Sequence, residues 1–236
     1  MAQTQEHTGL TARSIIQNFQ NLIAGGRKTD DVRISDRQWL FNLDHHRAQL
    51  LRQQVEKGQR VNEANIQELG VYNELERVRE VTVKKQKCGR WYTDTPLPAA
   101  IELYKDNLFT FIGTAKGHAF QHTTAQKAEW EQYAKHTGKK PKWYQLGGIL
   151  YLVNPPSPST NIISVKGVFE NPRAVKVYNG EDLDPLDYLN FEYPISRTCL
   201  DTLTKMLIEG ELKLALALPY DYLNDGKDHQ MEQPRA

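Results

Sequence analysis

Cysteine and long apolar runs are both scarce in this sequence. Cys88 and Cys199 are the two cysteines among 236 residues and lie far apart, so neither a disulfide framework nor a cysteine-rich zinc site is expected. No uninterrupted apolar stretch approaches ~18 residues, and the first nine residues are polar, which argues against a membrane span and a secretory signal. We therefore expect a soluble intracellular protein.

An excess of one charge and the common catalytic motifs are also missing. The 30 Lys and Arg residues nearly balance 29 Asp and Glu residues, whereas a dedicated nucleic-acid-binding protein usually has a basic excess. The sequence has neither a G-x-S-x-G elbow nor an H-E-x-x-H pair, and the G-R-K-T run at residues 26–29 lacks the first glycine of a phosphate-binding loop. We expect no catalytic residue, no cofactor and no metal, and therefore not an enzyme.

The first third of the chain has the apolar spacing of helices. Apolar residues recur every three or four positions over residues 10–23, and Ser35 with Gln38 has the spacing of a capping box that begins a second helix. This second helix is predicted to continue to about residue 57, and a short third helix is predicted over residues 63–69. The buried face of the second helix is predicted to contain Leu40, Leu43, Leu50, Leu51 and Val55. Its exposed face is predicted to carry Asp44, Arg47, Arg52, Glu56 and Lys57.

Strand patterns replace the helical pattern after residue 70. Short β-branched and aromatic runs, broken by Gly and Pro, predict strands near residues 78–83, 101–103, 108–112 and 162–169. Gly147 and Gly148 separate residues 143–146 from residues 149–153 and predict a hairpin. One helix is predicted to interrupt this region, because Thr123 and Gln126 again have capping-box spacing.

A last helix is predicted to begin after Ser196, and an alternating leucine run follows it. This run continues until Pro219, and its leucine face, if exposed, would be a liability in a monomer. Two interpretations stay open: a last strand or helix extension in the same core, or an arm that docks on another chain. Burial of four leucines contributes on the order of 6–10 kcal/mol before ordering costs, enough to dock a tail. The candidate docking residues of this arm are Leu212, Leu214, Leu216, Leu218, Tyr220 and Tyr222.

Two basic clusters lie beside aromatic residues. The first lies next to Trp91 and Tyr92 and comprises Lys84, Lys85, Lys87 and Arg90. The second occupies residues 139–143. Such clusters bind phosphates weakly and without sequence preference, although most are solvated hairpin tips. A protein that lines a DNA channel tolerates weak contacts of this kind, so the first cluster is a candidate for DNA-channel contacts.

Together these patterns predict an α+β fold. We expect a helical N-terminal bundle over residues 1–70 and a mostly antiparallel β-rich domain with one inserted helix over residues 71–193. A C-terminal helix is expected over residues 194–211, followed by an extended arm and tail over residues 212–236.

Sequence patterns spread over most of the chain also carry a family resemblance. The first is I-I-x-x-F-x-x-L-I-x-G-G-R at residues 15–27, followed by T-D-D-x-x-I-S-x-R-Q at residues 29–38. The others are R-A-x-L-L-R-Q at residues 47–53, Q-E-L-G at 67–70, F-I-G-T at 111–114, W-x-x-Y-x-x-x-T-G-K at 130–139 and V-x-G-V-F-E-x-P-R at 165–173. From about residue 11 to residue 212, the chain resembles a structural virion protein of short-tailed, crAss-like bacteriophages.

This resemblance implies a head-to-tail connector, or adaptor, that forms a ring under the portal, joins the capsid to the tail and lines the DNA exit channel. The implied partners are other copies of the chain in a dodecamer, the portal protein and a tail or nozzle protein, with weak, nonspecific contact to genomic DNA and no membrane partner. The arm would reach the portal, and the second helices of neighbouring copies would pack side by side through Asp44, Arg47, Arg52 and Glu56.

The implied location is the neck or tail of the virion, after synthesis in the host cytoplasm. Three alternatives stay open at this point. The chain is a tail-tube or nozzle ring protein of the same virion, a phage enzyme, or a DNA-binding module.

Overall fold

The described residues form five α-helices and nine strands. A computed structural model describes residues 10–23, 34–86, 90–104, 106–131, 140–156, 161–181 and 188–209. The helices are α1 (Ala12–Ile23), α2 (Asp36–Glu56), α3 (Ala125–Glu131), α4 (Pro172–Tyr178) and α5 (Arg197–Glu209). The strands are β1 (Gln67–Leu69), β2 (Val71–Asn73), β3 (Val78–Lys85), β4 (Trp91–Thr93), β5 (Phe109–Gly113), β6 (Gln121–His122), β7 (Lys142–Leu146), β8 (Ile149–Val153) and β9 (Ile162–Gly167). The predicted α+β class is confirmed.

Helix α2 begins where the sequence predicts. The backbone N–H of Gln38 donates to Ser35 Oγ at 3.3 Å, and the backbone N–H of Ser35 donates to Gln38 Oε1 at 3.0 Å. This reciprocal pair is the predicted capping box, and it satisfies two donors that the first helical turn cannot satisfy by itself.

Helices α1, α2 and α5 share one apolar core. Helix α1 buries Ile15, Ile16 and Phe19, while α5 buries Leu203 and Leu207 in the same core. The predicted inward face of α2 is largely confirmed, because its residues Leu40, Leu43, Leu50 and Leu51 are buried. The remaining members of this core include Ile101, Leu108, Val168, Leu189, Phe191 and Tyr193, which come from outside the helices.

The strands curl into a closed, mostly antiparallel sheet. The strand order is β1-β9-β3-β4-β8-β7-β6, while β2 pairs with β3 and β5 pairs with β9. The end of β5 also pairs with the segment just before β6. Gly113 forms an antiparallel bridge with Ala119, and the N–H of Phe120 donates to Ile112 O at 2.7 Å. Strand β6 then pairs with β7 in parallel, which completes the circle of pairings.

The closed sheet has an apolar interior of its own, which meets the helical core at two neighbouring residues. Val168 packs in the core of the helices, whereas Phe169 packs inside the sheet with residues that include Trp91, Trp143, Leu150 and Ile163. Successive residues of an extended chain point to opposite sides, so this short segment after β9 separates the two cores.

The predicted hairpin is confirmed. Strands β7 and β8 pair antiparallel from Lys142 opposite Val153 to Leu146 opposite Ile149. Gly147 and Gly148 form the connection with φ of +59° and +78°, a conformation that glycine adopts without steric cost.

Several local predictions are wrong or incomplete. Residues 101–103 form no strand and contain one isolated bridge, from Glu102 to Asn107. Residues 63–69 contain a single 3-10 turn followed by β1, because β1 pairs with β9. The hydroxyl of Thr124, and not that of Thr123, accepts from the first turn of α3, while the N–H of Thr123 donates to Trp143 O. Helix α4 has no predicted counterpart.

None of the described helices has both the length and the apolar composition of a membrane span. Gly25 and Gly26, which the sequence places after α1, lie outside the described residues. The domain boundaries at residues 70, 193 and 211 stay predictions.

Gly70 is expected to tolerate no side chain. It lies between β1 and β2 with φ of +112°, and a Cβ there would lie 2.2 Å from the carbonyl oxygen of Glu80. We expect Gly70→Ala to lower the free energy of unfolding by about 2 kcal/mol more than Gly58→Ala, measured by urea unfolding. Gly58 is the matched control, because it also has a positive φ, +77°, but a Cβ there would meet no atom within 4 Å. Equal losses would contradict the expected clash.

Candidate assembly surface

The predicted exposed face of α2 is wrong at Arg47. This side chain is 0% exposed, and its three nitrogens donate to backbone carbonyls of three separate segments. Nε donates to Pro194 O at 2.8 Å, Nη1 to Phe169 O at 2.9 Å and Nη2 to Asn65 O at 3.2 Å. Arg47 follows Leu43 by four residues and precedes Leu50 by three, so it lies on the buried stripe of α2. It ties α2 to the rest of the fold and presents nothing to a neighbouring subunit.

Asp44 is also largely enclosed. The hydroxyl of Tyr193 donates to its Oδ1 at 2.7 Å, and the guanidinium of Arg47 lies 5.7 Å from the centre of the Tyr193 ring. Burial raises the pKa of Asp44 from 3.8 to about 6, against the opposing effects of the Tyr193 hydrogen bond and the Arg47 charge. Burial likewise lowers the pKa of Arg47 and raises that of Tyr193.

The raised pKa of Asp44 predicts a pH-dependent stability. Between pH 3.8 and about 6 the folded protein binds more protons at this site than the unfolded chain, so stability falls as pH rises through that window. The shift corresponds to on the order of 2–3 kcal/mol. Asp44→Asn removes the titrating group and keeps an acceptor for the Tyr193 hydroxyl. The free energy of unfolding of this variant, relative to that of the wild type, is therefore expected to rise by that amount from pH 4 to pH 7.5.

Thermal or urea unfolding across this pH range measures the effect. Asp201→Asn, at an exposed position of α5, is the matched control and is expected to leave the shape of the stability curve unchanged. Parallel curves for the wild type and Asp44→Asn would refute the assignment.

Arg52 and Glu56 lie on the exposed part of α2, as predicted. Arg52 Nε lies 3.2 Å from Glu56 Oε1, and both side chains are nearly half-exposed. A surface pair of this kind contributes little to stability, so both side chains are available to a neighbouring molecule. Their role between subunits stays a prediction.

The first basic cluster is partly neutralised by carboxylates. Lys84 Nζ lies 2.7 Å from Asp94 Oδ1, and Arg90 Nη2 lies 3.4 Å from Glu129 Oε1. The hydrogen bond from Lys84 to Asp94 is the main cause of a raised pKa at Lys84. Lys85 lies 5.8 Å from the centre of the Trp91 ring, and Lys87 lies outside the described residues. A cluster with such partners favours weak contact with phosphates over tight binding.

The predicted arm, Leu212 to Tyr222, lies outside the described residues. Glu209, in α5, is the last residue that the structure describes. The Ser196 cap predicted for this helix is present, because the N–H of Cys199 donates to Ser196 Oγ at 3.4 Å.

Large apolar side chains are exposed on several elements. Leu75 in the β2–β3 turn is 95% exposed, Trp130 on α3 is 78% exposed and Phe41 on α2 is 69% exposed. Further examples are Leu22, Val71, Tyr72, Tyr104, Leu146 and Val177. Single apolar side chains are common on the surfaces of monomeric proteins, and these residues are candidates for contacts with neighbouring copies.

Two surface depressions contain polar groups. One, of about 260 Å³, includes His122, whose Nδ1 lies 3.1 Å from Asp106 Oδ2 and whose ring lies 4.5 Å from that of Trp143. The other, of about 360 Å³, lies between α2 and α4 and is lined by Arg37, Leu40, Phe41, Asp44, Asn171, Arg173 and Tyr188. Within the described part of the chain, no group of three His, Cys, Asp or Glu side chains is arranged to hold a metal ion.

Comparison with protein families finds one matching family, described as phage tail ring protein 2 of crAss-like phages. Comparison with curated proteins finds no match. The family match covers residues 14–230 and thus extends past residue 212, where the resemblance in the sequence ends. A family of tail rings implies self-association, a structural role and a place in the virion tail. Because the match covers most of the sequence, the chain belongs to the crAss-like phage tail ring protein 2 family.

Proposed function

We propose that this tail ring is the head-to-tail connector, placed in the neck of the virion beneath the portal. Copies of the chain associate head to tail into a closed ring, a dodecamer, that joins capsid and tail. The observation that carries the ring is the family match over residues 14–230, and the exposed apolar side chains on α2, α3 and the β2–β3 turn are candidate contacts between copies. A ring subunit needs two different faces for its neighbours and further surface for the structures above and below it.

The arm is the part of the chain that we assign to the portal. Residues Leu212 to Leu218 alternate leucine with lysine or alanine, and the family match includes them. Tyr220 and Tyr222 continue the two-residue spacing in the sequence. Two residues of the sequence separate the arm from the last described residue, Glu209.

The channel lining is assigned to the first basic cluster, Lys84, Lys85, Lys87 and Arg90. Its pairing with Asp94 and Glu129 supports this role, because DNA must slide past a channel wall and tight phosphate binding would hold it. Between subunits, the exposed end of α2 with Arg52 and Glu56 faces the neighbouring copy.

A ring lower in the tail is the second candidate function. The family description names a tail ring and does not name a connector, which favours this alternative. Such a ring uses the same two lateral faces, but its arm binds a tail or nozzle protein. An enzyme finds no support, since the family points to a structural role.

Native mass spectrometry of the full chain distinguishes these candidates. The chain is measured alone, mixed with the portal protein of the same phage, and mixed with its tail proteins. The connector is expected to form a twelve-copy ring bound to portal, whereas the lower ring binds a tail protein only. A chain that stays monomeric in all three mixtures would refute both candidates.

A further inference from the structure

The groove between α2 and α4 contains two arginines around one tyrosine. The guanidinium carbons of Arg37 and Arg173 lie 5.9 Å and 5.5 Å from the centre of the Tyr188 ring. Phe41, with 69% of its surface exposed, and the buried Leu40 also line the groove. The groove therefore offers two cations and an apolar contact within one depression of about 360 Å³.

Neither arginine of the groove has a carboxylate partner among the described residues, although three other arginines do. Among the described residues, Arg52, Arg79 and Arg90 pair with Glu56, Glu181 and Glu129, whereas no ion pair includes Arg37 or Arg173. Asp44 is the acidic residue that lines the groove, and its Oδ1 already accepts from the Tyr193 hydroxyl. Among the described residues that line the groove, two arginines outnumber one aspartate, and the depression has room for an acidic, partly apolar segment.

A segment of that chemistry follows the predicted arm. Residues 223–232 read L-N-D-G-K-D-H-Q-M-E, with three carboxylates, one lysine and two apolar side chains. We propose that the α2–α4 groove binds residues 223–232 of a second copy of this chain, with Asp225 and Asp228 on the two arginines and Leu223 against Phe41. This inference rests on the proposed ring.

The reach of the chain permits such a contact. Residues 210–222 separate α5 from the acidic segment, and 13 residues span up to about 45 Å when extended. A tail that binds the next copy is a heterologous contact, and it repeats around a ring until the ring closes. The leucines of the arm stay available to the portal, because they precede the acidic segment.

Photo-crosslinking in the assembled ring tests the proposal. A benzophenone amino acid replaces Leu223 in the full chain, and rings are formed from equal amounts of isotopically light and heavy chains with portal present. We expect crosslinks between light and heavy peptides that map to the peptides containing Phe41 or Arg173. Rings whose crosslinks lie within one copy, or map elsewhere, would overturn the proposal while leaving the proposed function standing. If no ring forms, both fail.

Charge exchange tests the recognition itself. Arg37→Glu with Arg173→Glu is expected to reduce the crosslink yield about tenfold, and Asp225→Lys with Asp228→Lys in the tail is expected to restore it. Restoration also shows that the groove variant folds. The matched control is Arg60→Glu with Arg197→Glu, two exposed arginines outside the groove with the same change in net charge. An unchanged yield in the groove variant, or an equal loss in the control, would overturn the proposal.

Discussion

Replacing Arg47 by alanine is expected to lower the free energy of unfolding by about 3–5 kcal/mol. The substitution leaves the carbonyl oxygens of Asn65, Phe169 and Pro194 without their donors and opens a cavity beside α2. Burial of the charged guanidinium is itself unfavourable, as the lowered pKa of Arg47 indicates. Because the substitution also removes this unfavourable contribution, the net loss stays within this range. Such a loss is a large fraction of the stability of a typical domain, about 5–15 kcal/mol, and urea unfolding measures it.

Two further variants separate the causes of this loss. Arg47→Met fills most of the volume but donates no hydrogen bond, so it is expected to retain a loss of about 2–3 kcal/mol. Arg52→Ala, five residues along the same helix, removes an exposed arginine and is expected to cost at most about 0.5 kcal/mol. If Arg47→Ala and Arg52→Ala cost the same, Arg47 is not the anchor that its contacts indicate.

The position of Arg47 shows both what the sequence contains and what is easily misread. Its spacing from Leu43 and Leu50 places it on the apolar stripe of α2, and this spacing is readable from the sequence alone. Its charge, taken by itself, suggests an exposed position. The acceptors lie 18, 122 and 147 residues away, so the reason for burying an arginine there could not be predicted from local pattern.

Local signals predict the elements that depend on neighbouring residues. The capping box at Ser35 and the double glycine of the β7–β8 hairpin each specify a structure within a few residues, and both are confirmed. Helix α4 is not predicted, although it has a local signal of the same kind: the side chain of Asn171 caps it and Pro172 occupies its first turn. Closure of the sheet could not be predicted from local sequence. It depends on the backbone hydrogen bond from Phe120 to Ile112 and on the pairing of β6 with β7, whose partners are separated by other segments of the chain.

The groove between α2 and α4 belongs to the part that the sequence could not reveal. Its arginines are separated by 136 positions, at residues 37 and 173, and Tyr188 between them follows no recognisable motif. The hydrogen bonds of Arg47 help to place these residues, because Phe169 precedes Arg173 by four residues and Pro194 follows Tyr188 by six. The hydrogen bonds of Arg47 thus help to fix the segments that carry Arg173 and Tyr188 relative to α2.

Substituting the four leucines of the arm by serine is expected to abolish portal binding while leaving the fold intact. Burial of Leu212, Leu214, Leu216 and Leu218 contributes on the order of 6–10 kcal/mol before ordering costs. If ordering the arm offsets about half, the remaining 3–5 kcal/mol corresponds to a loss of affinity of at least about 100-fold. The acidic segment, residues 223–232, is unchanged in this variant, so the contact proposed for it is tested separately.

The matched control changes the residues that alternate with these leucines. Lys213→Ser, Ala215→Ser and Ala217→Ser alter the opposite face of an extended arm and are expected to change portal affinity by less than about threefold. Binding to portal is measured by native mass spectrometry or biolayer interferometry, and circular dichroism verifies that both variants keep the wild-type fold. Undiminished portal binding by the leucine variant would refute the docking role of the arm. Equal loss in both variants would instead show that the arm does not bind through one face, because an alternating pattern presents its leucines to a partner only when the chain is extended.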